Sequence, residues 1–354
     1  MPKTVDEISR ETGFSVTTVR LVINGQSEKY RISGKTRRII EDYVTLHGYS
    51  FNHAARSLKL NRSDTVGFVA PDLSNAFFAH LMAVLEALCR ARNLLLLTVA
   101  SHEDPILENR AVASLLARGV DGLVIAPCQA EIQPLLAKNR GRTSIVMIDR
   151  DFASGLFPTV VSDNFSGGLA MTRGMLRESR GKTFPFLCGH AKLPSIRDRI
   201  RGFSEACREM AEGGDGRILQ EMDDSIEAGS RMMRQLIDQA GGIPPHAFMC
   251  SSLLILEGAL QQIKTQIGRI DPSILIGTFD DHTMLDLLPN PVFSIRQNEK
   301  ALTSKIFEYL IGPRAEGKKT VCASSVIAAE LVCRNLESQG FFASTRQKAA
   351  VEKT

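Results

Sequence analysis

Apolar and polar positions at the start of the chain repeat with helical spacing. In "TVDEISRETGF", Val5, Ile8 and Thr12 share a face, and Thr4 stands as N-cap with Glu7 three residues on. This is a capping box opening a helix. Gly13 suits the left-handed stop of that helix and Ser15 the cap of a second. The next stretch, "GFSVTTVRLVING", is rich in β-branched residues and on local preference alone reads as a strand. The caps around it predict a helix instead, with Val19, Val22 and Ile23 inward and Val16, Thr17, Arg20 and Leu21 outward or at its exposed start. A third helix is capped by Ser33, runs through Arg37, Ile40, Tyr43, Val44 and His47, and ends at Gly48. Asn52 then caps a short helix carrying Ala55, Arg56, Leu58 and Lys59, marginal by itself.

From Thr65 the period changes. β-rich runs alternate with helical ones: "TVGFVAP" leads to a helix around Phe77–Arg92, "LLLLTVA" to Pro105–Arg118, "DGLVIAP" to Ala130–Asn139, and "SIVMID" follows. A second series begins at "TFPFLCG", with helices near Arg197–Glu212, Ile226–Gln239 and Leu253–Lys264 between "GRILQ", "HAFMCS" and "SILIGTF". Strand–helix alternation at this interval predicts an α/β body of doubly wound parallel sheets in two lobes, behind a three-helix head.

Length and composition agree with that division. A chain of 354 residues, 44% apolar and 23% charged, is expected to be soluble and to hold more than one domain. No run reaches the ~18–20 apolar residues of a membrane span, and "MPKTVDEISR" lacks a signal-type apolar stretch, so a cytoplasmic protein without membrane contact is expected. The seven cysteines are an odd number with no C-x-x-C pair, and they read as reduced core thiols. No metal and no cofactor is expected. "FDDH" places Asp280, Asp281 and His282 in a row at a strand end, where successive side chains diverge.

Charge is uneven along the chain. Residues 1–62 hold eleven Lys and Arg against six Asp and Glu, a surplus of +5 in a chain whose net charge is +4. The rest is therefore nearly neutral. A basic helix–turn–helix head on such a body points to double-stranded DNA, with a solvated basic face as the plain alternative. The second helix is the one that enters the major groove. There Thr17 and Arg20 can bond base edges or phosphates, and Val16 and Leu21 can meet a thymine methyl.

"TVDEISRETGFSVTTVRLVING", "SGKTRRIIEDYVTLHGY" and "NHAARSLKLNRSDTVGFVAPDLSNAFFAHL" together resemble the lactose/galactose-repressor family, and the likeness continues along nearly the whole chain. "LPSIRDRIRGF" and "IGTFDDHTMLDLL" are most similar to its sucrose-operon and fructose-responsive members. The resemblance implies a transcriptional repressor whose operator affinity is set by a small sugar or sugar phosphate. It implies base contacts from Val16, Thr17 and Leu21, with Thr4, Ser15, Arg20, Asn24, Arg31 and Ser33 at the DNA surface. It further implies a hinge helix in which Ala55, Leu58 and Lys59 meet the minor groove, Leu58 as a wedge. The domains it implies are a head at 1–49, a hinge at 50–63, an effector-binding and dimerisation body at 64–338 and a polar tail at 339–354. The tail lacks a leucine heptad, so a homodimer is expected rather than a tetramer.

No dinucleotide, P-loop, zinc-protease or serine-hydrolase motif occurs, which argues against an enzyme. In open α/β sheets ligands bind beyond the carboxyl ends of strands. Here those ends carry Asp72 to Asn75, Asp149 and Arg150, Ser251 and Ser252, and Asp280 and Asp281. Carboxylate and guanidinium groups suit a polyol. The resemblance implies Phe77 and Phe78 as pocket walls, Ser195 and Arg199 bonding ligand oxygens, and Asp149, Asp280 and Gln297 holding hydroxyls. Ser251-Ser252 replaces the Asn-Asp of many relatives, and the chain has no tryptophan to stack on a pyranose. The arginines of "KLPSIRDRIR" together with Arg150 favour fructose or fructose 1-phosphate, unless they pair among themselves on a helix surface.

Overall fold

The computed structural model describes residues 3–49, 62–131, 134–139, 143–153, 155–210, 216–316 and 323–336. The chain divides into two compact units, Met1–Asp64 and Thr65–Thr354.

Among its described residues the first unit holds three helices, α1 (Val5–Thr12), α2 (Val16–Ile23) and α3 (Gly34–His47). Thr4 caps α1 through a complete capping box with Glu7, and Gly13 closes it at φ 75°. Ser15 and Ser33 cap α2 and α3 by accepting from Thr18 N and Thr36 N, each at 3.1 Å. Ile8, Val19, Val22 and Ile40 form the buried centre, with Ile23, Tyr43 and Val44 packed around it. The β-branched run of α2 is thus helical because its caps and its inward face both select a helix.

The second unit contains two six-stranded sheets built to one plan. The first lobe is formed by β1 (Thr65–Ala70), α4 (Ala76–Arg90), β2 (Leu95–Ala100), α5 (Pro105–Ala117), β3 (Gly122–Ile125), α6 (Pro134–Asn139), β4 (Ser144–Ile148) and β5 (Thr159–Ser162). The second lobe continues with α7 (Asn164–Glu178), β6 (Phe186–Cys188), α8 (Pro194–Met210), β7 (Ile218–Gln220), α9 (Ile226–Gln239), β8 (Ala247–Cys250), α10 (Leu253–Ile267), β9 (Leu275–Phe279) and β10 (Val292–Arg296). Then α11 (Glu299–Glu316) returns to the first lobe, where β11 (Ser324–Ile327) joins β5, and β12 (Glu330–Arg334) goes back to pair with β10. The strand orders are β11-β5-β4-β3-β1-β2 and β12-β10-β9-β8-β6-β7. Strand for strand they are the same arrangement, β1 matching β6 and β4 matching β9. Among the described residues all strand pairs are parallel except β10 with β12.

Strands β3, β4, β8 and β9 are buried along their whole length. That is why they read as continuous apolar runs rather than alternating ones: helices cover both faces of each sheet. Glycines set the closest helix pairs. A Cβ at Gly202 of α8 would lie 2.3 Å from Phe165 O, and one at Gly168 of α7 2.7 Å from Arg199 O. This approach brings the first turn of α7 against the buried side of α8, which matters for the site below.

Candidate functional site

The head presents the second helix as predicted. Thr17 and Arg20 are exposed, Val16 and Leu21 are half-buried at its edge, and Val19 and Val22 are buried. Thr4 and Ser15 have their hydroxyls engaged in caps. Asn24 and Arg31 are exposed, Arg31 at φ 50°. Ala55, Leu58 and Lys59 lie outside the described residues, as does the tail at 339–354.

In the body, a cavity of about 280 Å³ is walled by both lobes. Eight of the nine expected residues line it: Phe77, Phe78, Asp149, Arg150, Ser195, Arg199, Asp280 and Gln297. Ser251 sits one layer back, its hydroxyl accepting from Gly189 N at 3.1 Å and its carbonyl accepting from Arg199 Nη1 at 2.6 Å. Asp149 and Asp280 follow the matching strands β4 and β9, and both have left-handed backbones, at φ 66° and 67°. Non-glycine residues in that region are strained and concentrate at functional sites. The internal repeat therefore places two carboxylates by the same device, one from each lobe.

Arg199 is buried with its plane over Phe279, 4.1 Å from the ring centroid. Its Nε donates to Asn164 Oδ1 at 2.8 Å, a bond made possible by the close packing of α7 on α8. None of the described residues hydrogen-bonds its Nη2. The neighbouring arginines behave otherwise: Arg197 and Arg201 both pair with Asp198 on the surface. Arg150 is held in two places by Glu103 and stands 3.4 Å from Asp149. The "FDDH" side chains do diverge. Asp280 faces the cavity and accepts from Gln297 Nε2 at 2.5 Å, Asp281 pairs with Arg296 and Arg334, and His282 caps a 3-10 turn and stacks on His80.

Several lining residues were not anticipated: Asp223, Asp224, His102 and Glu103. Asp224 accepts from Ser252 Oγ at 2.9 Å and Ser251 Oγ at 3.3 Å. Burial pushes its carboxyl up to about 6, against those hydrogen bonds and the nearby Arg199. Burial also raises Asp280, opposed by Arg199 and Gln297. These residues were findable, because they follow β2 and β7, whose ends "SHED" and "EMDD" obey the same strand-end rule. Among the described residues, no three His, Cys, Asp or Glu side chains stand together to hold a metal, and no helix is long and apolar enough to cross a membrane.

Residues 63–291 match the family described as periplasmic binding proteins and sugar binding domain of LacI family. The chain belongs to the LacI family. Along 310 residues, 87% of this chain and 91% of the relative, it is 28% identical to the sucrose operon repressor of Klebsiella pneumoniae. It is also 28% identical to the fructose operon regulatory protein of Vibrio cholerae, along 320 residues, 90% of this chain and 96% of that one. Among solved structures it is similar to the Cra transcriptional dual regulator of Pseudomonas putida in complex with fructose 1-phosphate, with a TM-score of 0.69 and 28% identity. That likeness covers 77% of this chain and 98% of the other. A LacI-family reading accounts for both units, the helix–turn–helix head and the two-lobed body, and the relatives it matches are transcriptional regulators.

Proposed function

We propose that this chain is a sequence-specific DNA-binding repressor of a sugar-utilisation operon, and that fructose or fructose 1-phosphate in the interlobe cavity modulates its operator affinity. The cavity carries the reading. Carboxylates from both lobes, led by Asp149 and Asp280 in their strained backbones, offer paired acceptors to adjacent hydroxyls, and Arg199 offers donors. Phe77 and Phe78, in edge contact at 5.1 Å, form an apolar wall. Ser195 and Gln297 add polar contacts, and Ser251 supports Arg199 from behind.

In the head, Val16, Thr17, Arg20 and Leu21 read bases, while Ser15, Asn24, Arg31 and Ser33 face the backbone and Thr4 contributes through its position at the start of α1. The domains are 1–49, 50–63, 64–338 and 339–354, and the protein acts in the cytoplasm as a homodimer on a near-palindromic operator. The hinge residues Ala55, Leu58 and Lys59 complete the contact at its centre.

Operator selection from random DNA with the full-length protein, repeated with fructose, fructose 1-phosphate and sucrose, tests this. A near-palindromic site is expected, with affinity that falls as salt rises and that changes with fructose or its phosphate. By linkage, operator must change effector affinity by the same factor. Absence of a selected site, or of any effect of these ligands, refutes the reading.

A further inference from the structure

Arg150 is a buried guanidinium in the cavity wall, 5% exposed, and Glu103 fills both of its terminal nitrogens. Nη1 donates to Glu103 Oε2 at 2.8 Å, and Nη2 donates to Glu103 Oε1. Nη1 also donates to Pro127 O at 3.1 Å. This parallel two-point grip is the geometry by which a guanidinium recognises a carboxylate or a phosphate. The Glu103 side chain is 44% exposed and itself lines the cavity, so an entering anion meets the carboxylate that already occupies the fork.

The backbone holds Glu103 there. His102 and Glu103 are consecutive non-glycine residues in the left-handed region, at φ 52° and 56°. Ser101 N and His102 N bond the end of β1 at Ala70 O and Pro71 O, both at 2.8 Å. On the far side Asp104 starts α5 by accepting from Ile106 N at 2.6 Å. Two strained residues between two fixed points indicate that the carboxylate is positioned. The other charges of the cavity act in the same sense: Asp72, Asp149, Asp223, Asp224 and Asp280 line it, against Arg150 and Arg199.

We propose that Glu103 is a specificity-determining residue, a charge filter that fills the anion fork of Arg150 and so disfavours a phosphate monoester on the sugar relative to the same sugar without it. The inference rests on the reading that the cavity takes a sugar. Calorimetric titration of the full-length wild-type protein and Glu103→Gln with fructose, fructose 1-phosphate and inorganic phosphate tests it. In the variant, affinity for fructose 1-phosphate relative to fructose rises at least tenfold, about 1.4 kcal/mol, and inorganic phosphate gains measurable binding. Glu103→Ala, which removes the side chain altogether, shifts the ratio in the same direction and serves if the first variant folds poorly. A ratio unchanged within twofold in both variants, while fructose still binds, overturns the proposal. If neither sugar binds any of the proteins, the sugar reading falls and the phosphate titration decides. Phosphate bound by the variants and not by wild type keeps Glu103 as a filter; equal behaviour removes it.

Discussion

Asp224→Asn separates stability from function in the cavity. The Asp224 carboxyl is pushed up to about 6 from an ordinary 3.8, burial outweighing the Ser252 hydrogen bond and Arg199. A gap of roughly two units, at about 1.4 kcal/mol each, disfavours the ionised form in the fold by about 3 kcal/mol. Because the folded value is the higher one, the folded chain keeps this proton when the unfolded chain has lost it. The resulting stabilisation is fully present below about pH 3.8 and is lost as pH rises through about 6. Asparagine cannot ionise and retains an acceptor for Ser252. The variant is therefore expected to be more stable than wild type at pH 7.5 by up to about 3 kcal/mol, with a gap that narrows steadily toward pH 4. Thermal melts of the ligand-free full-length pair at pH 4.5, 5.5, 6.5 and 7.5 read that gap directly, since every other carboxyl is common to both proteins. Effector affinity should fall in the same variant, the usual trade between a stable site and a working one. A gap of constant size across the series, or a variant less stable at pH 7.5, refutes the assignment of a strained charge to Asp224.

Three further outcomes are expected. Gly202→Ala drives a Cβ to 2.3 Å from Phe165 O, so α7 and α8 must part; a loss of about 2 kcal/mol is expected, together with weaker effector binding as Asn164 leaves Arg199, and unchanged melting and affinity contradict it. Arg199→Met removes the hydrogen bonds to Asn164 and Ser251 and the cation that lowers Asp224 and Asp280; melts at two pH values should show a deficit of roughly 2–4 kcal/mol at pH 7 that shrinks at pH 5, as the two carboxyls take up protons. Ser15→Ala removes the acceptor for Thr18 N and should cost the head about 1 kcal/mol, weakening DNA binding alike across sequences, whereas Thr17→Ala should change base preference in a selection; the same selection profile from both is the contrary result.

How much was legible depended on what signals each residue. The three helices of the head were readable because their ends are marked by Thr4, Gly13, Ser15, Ser33 and Gly48, and helix caps are local chemistry. Buried parallel strands such as "SIVMI" and "LIGTF" were readable as unbroken apolar runs. Strand β5 and helix α7 were not: Thr159 and Ser162 leave β5 an apolar run of only Val160 and Val161, and Gly167, Gly168 and Gly174 lower the helix propensity of α7. Those glycines are there for packing: Gly168 meets the backbone of α8 at Arg199, whereas Gly167 meets Phe279 and Ile295 and Gly174 meets Phe293, side chains of β9 and β10. Strands β11 and β12 come last in the chain but complete two different sheets, a pairing with no local trace. In the site, Asp149 and Asp280 were visible as strand ends. Glu103 and Asp224 stand at strand ends too, yet their importance lies in partners 47 residues away at Arg150 and 28 away at Ser252.

The crossings between the lobes explain how occupancy of the cavity can reach the rest of the body. The chain passes from lobe to lobe after β5, after β10 and after β11. The first crossing is bonded to the third through Asp163 N and Ile327 O at 2.8 Å, and to the second through the Ser162 hydroxyl and Gln297 Oε1. Gln297 then donates its amide to Asp280, and Asn164, the residue after the first crossing, accepts from Arg199. Asp280, Gln297 and Arg199 all line the cavity. A ligand that competes for any of these groups acts on the pivot itself, with no relay through the sheets. Rigid-body motion of lobes about a few element-terminal residues is the expected response of such a joint. Discrete arrangements are expected of it, because breaking one of the buried bonds, Ser162 to Gln297, Gln297 to Asp280 or Arg199 to Asn164, without replacement leaves a buried polar group unpaired at a cost of about 1–3 kcal/mol.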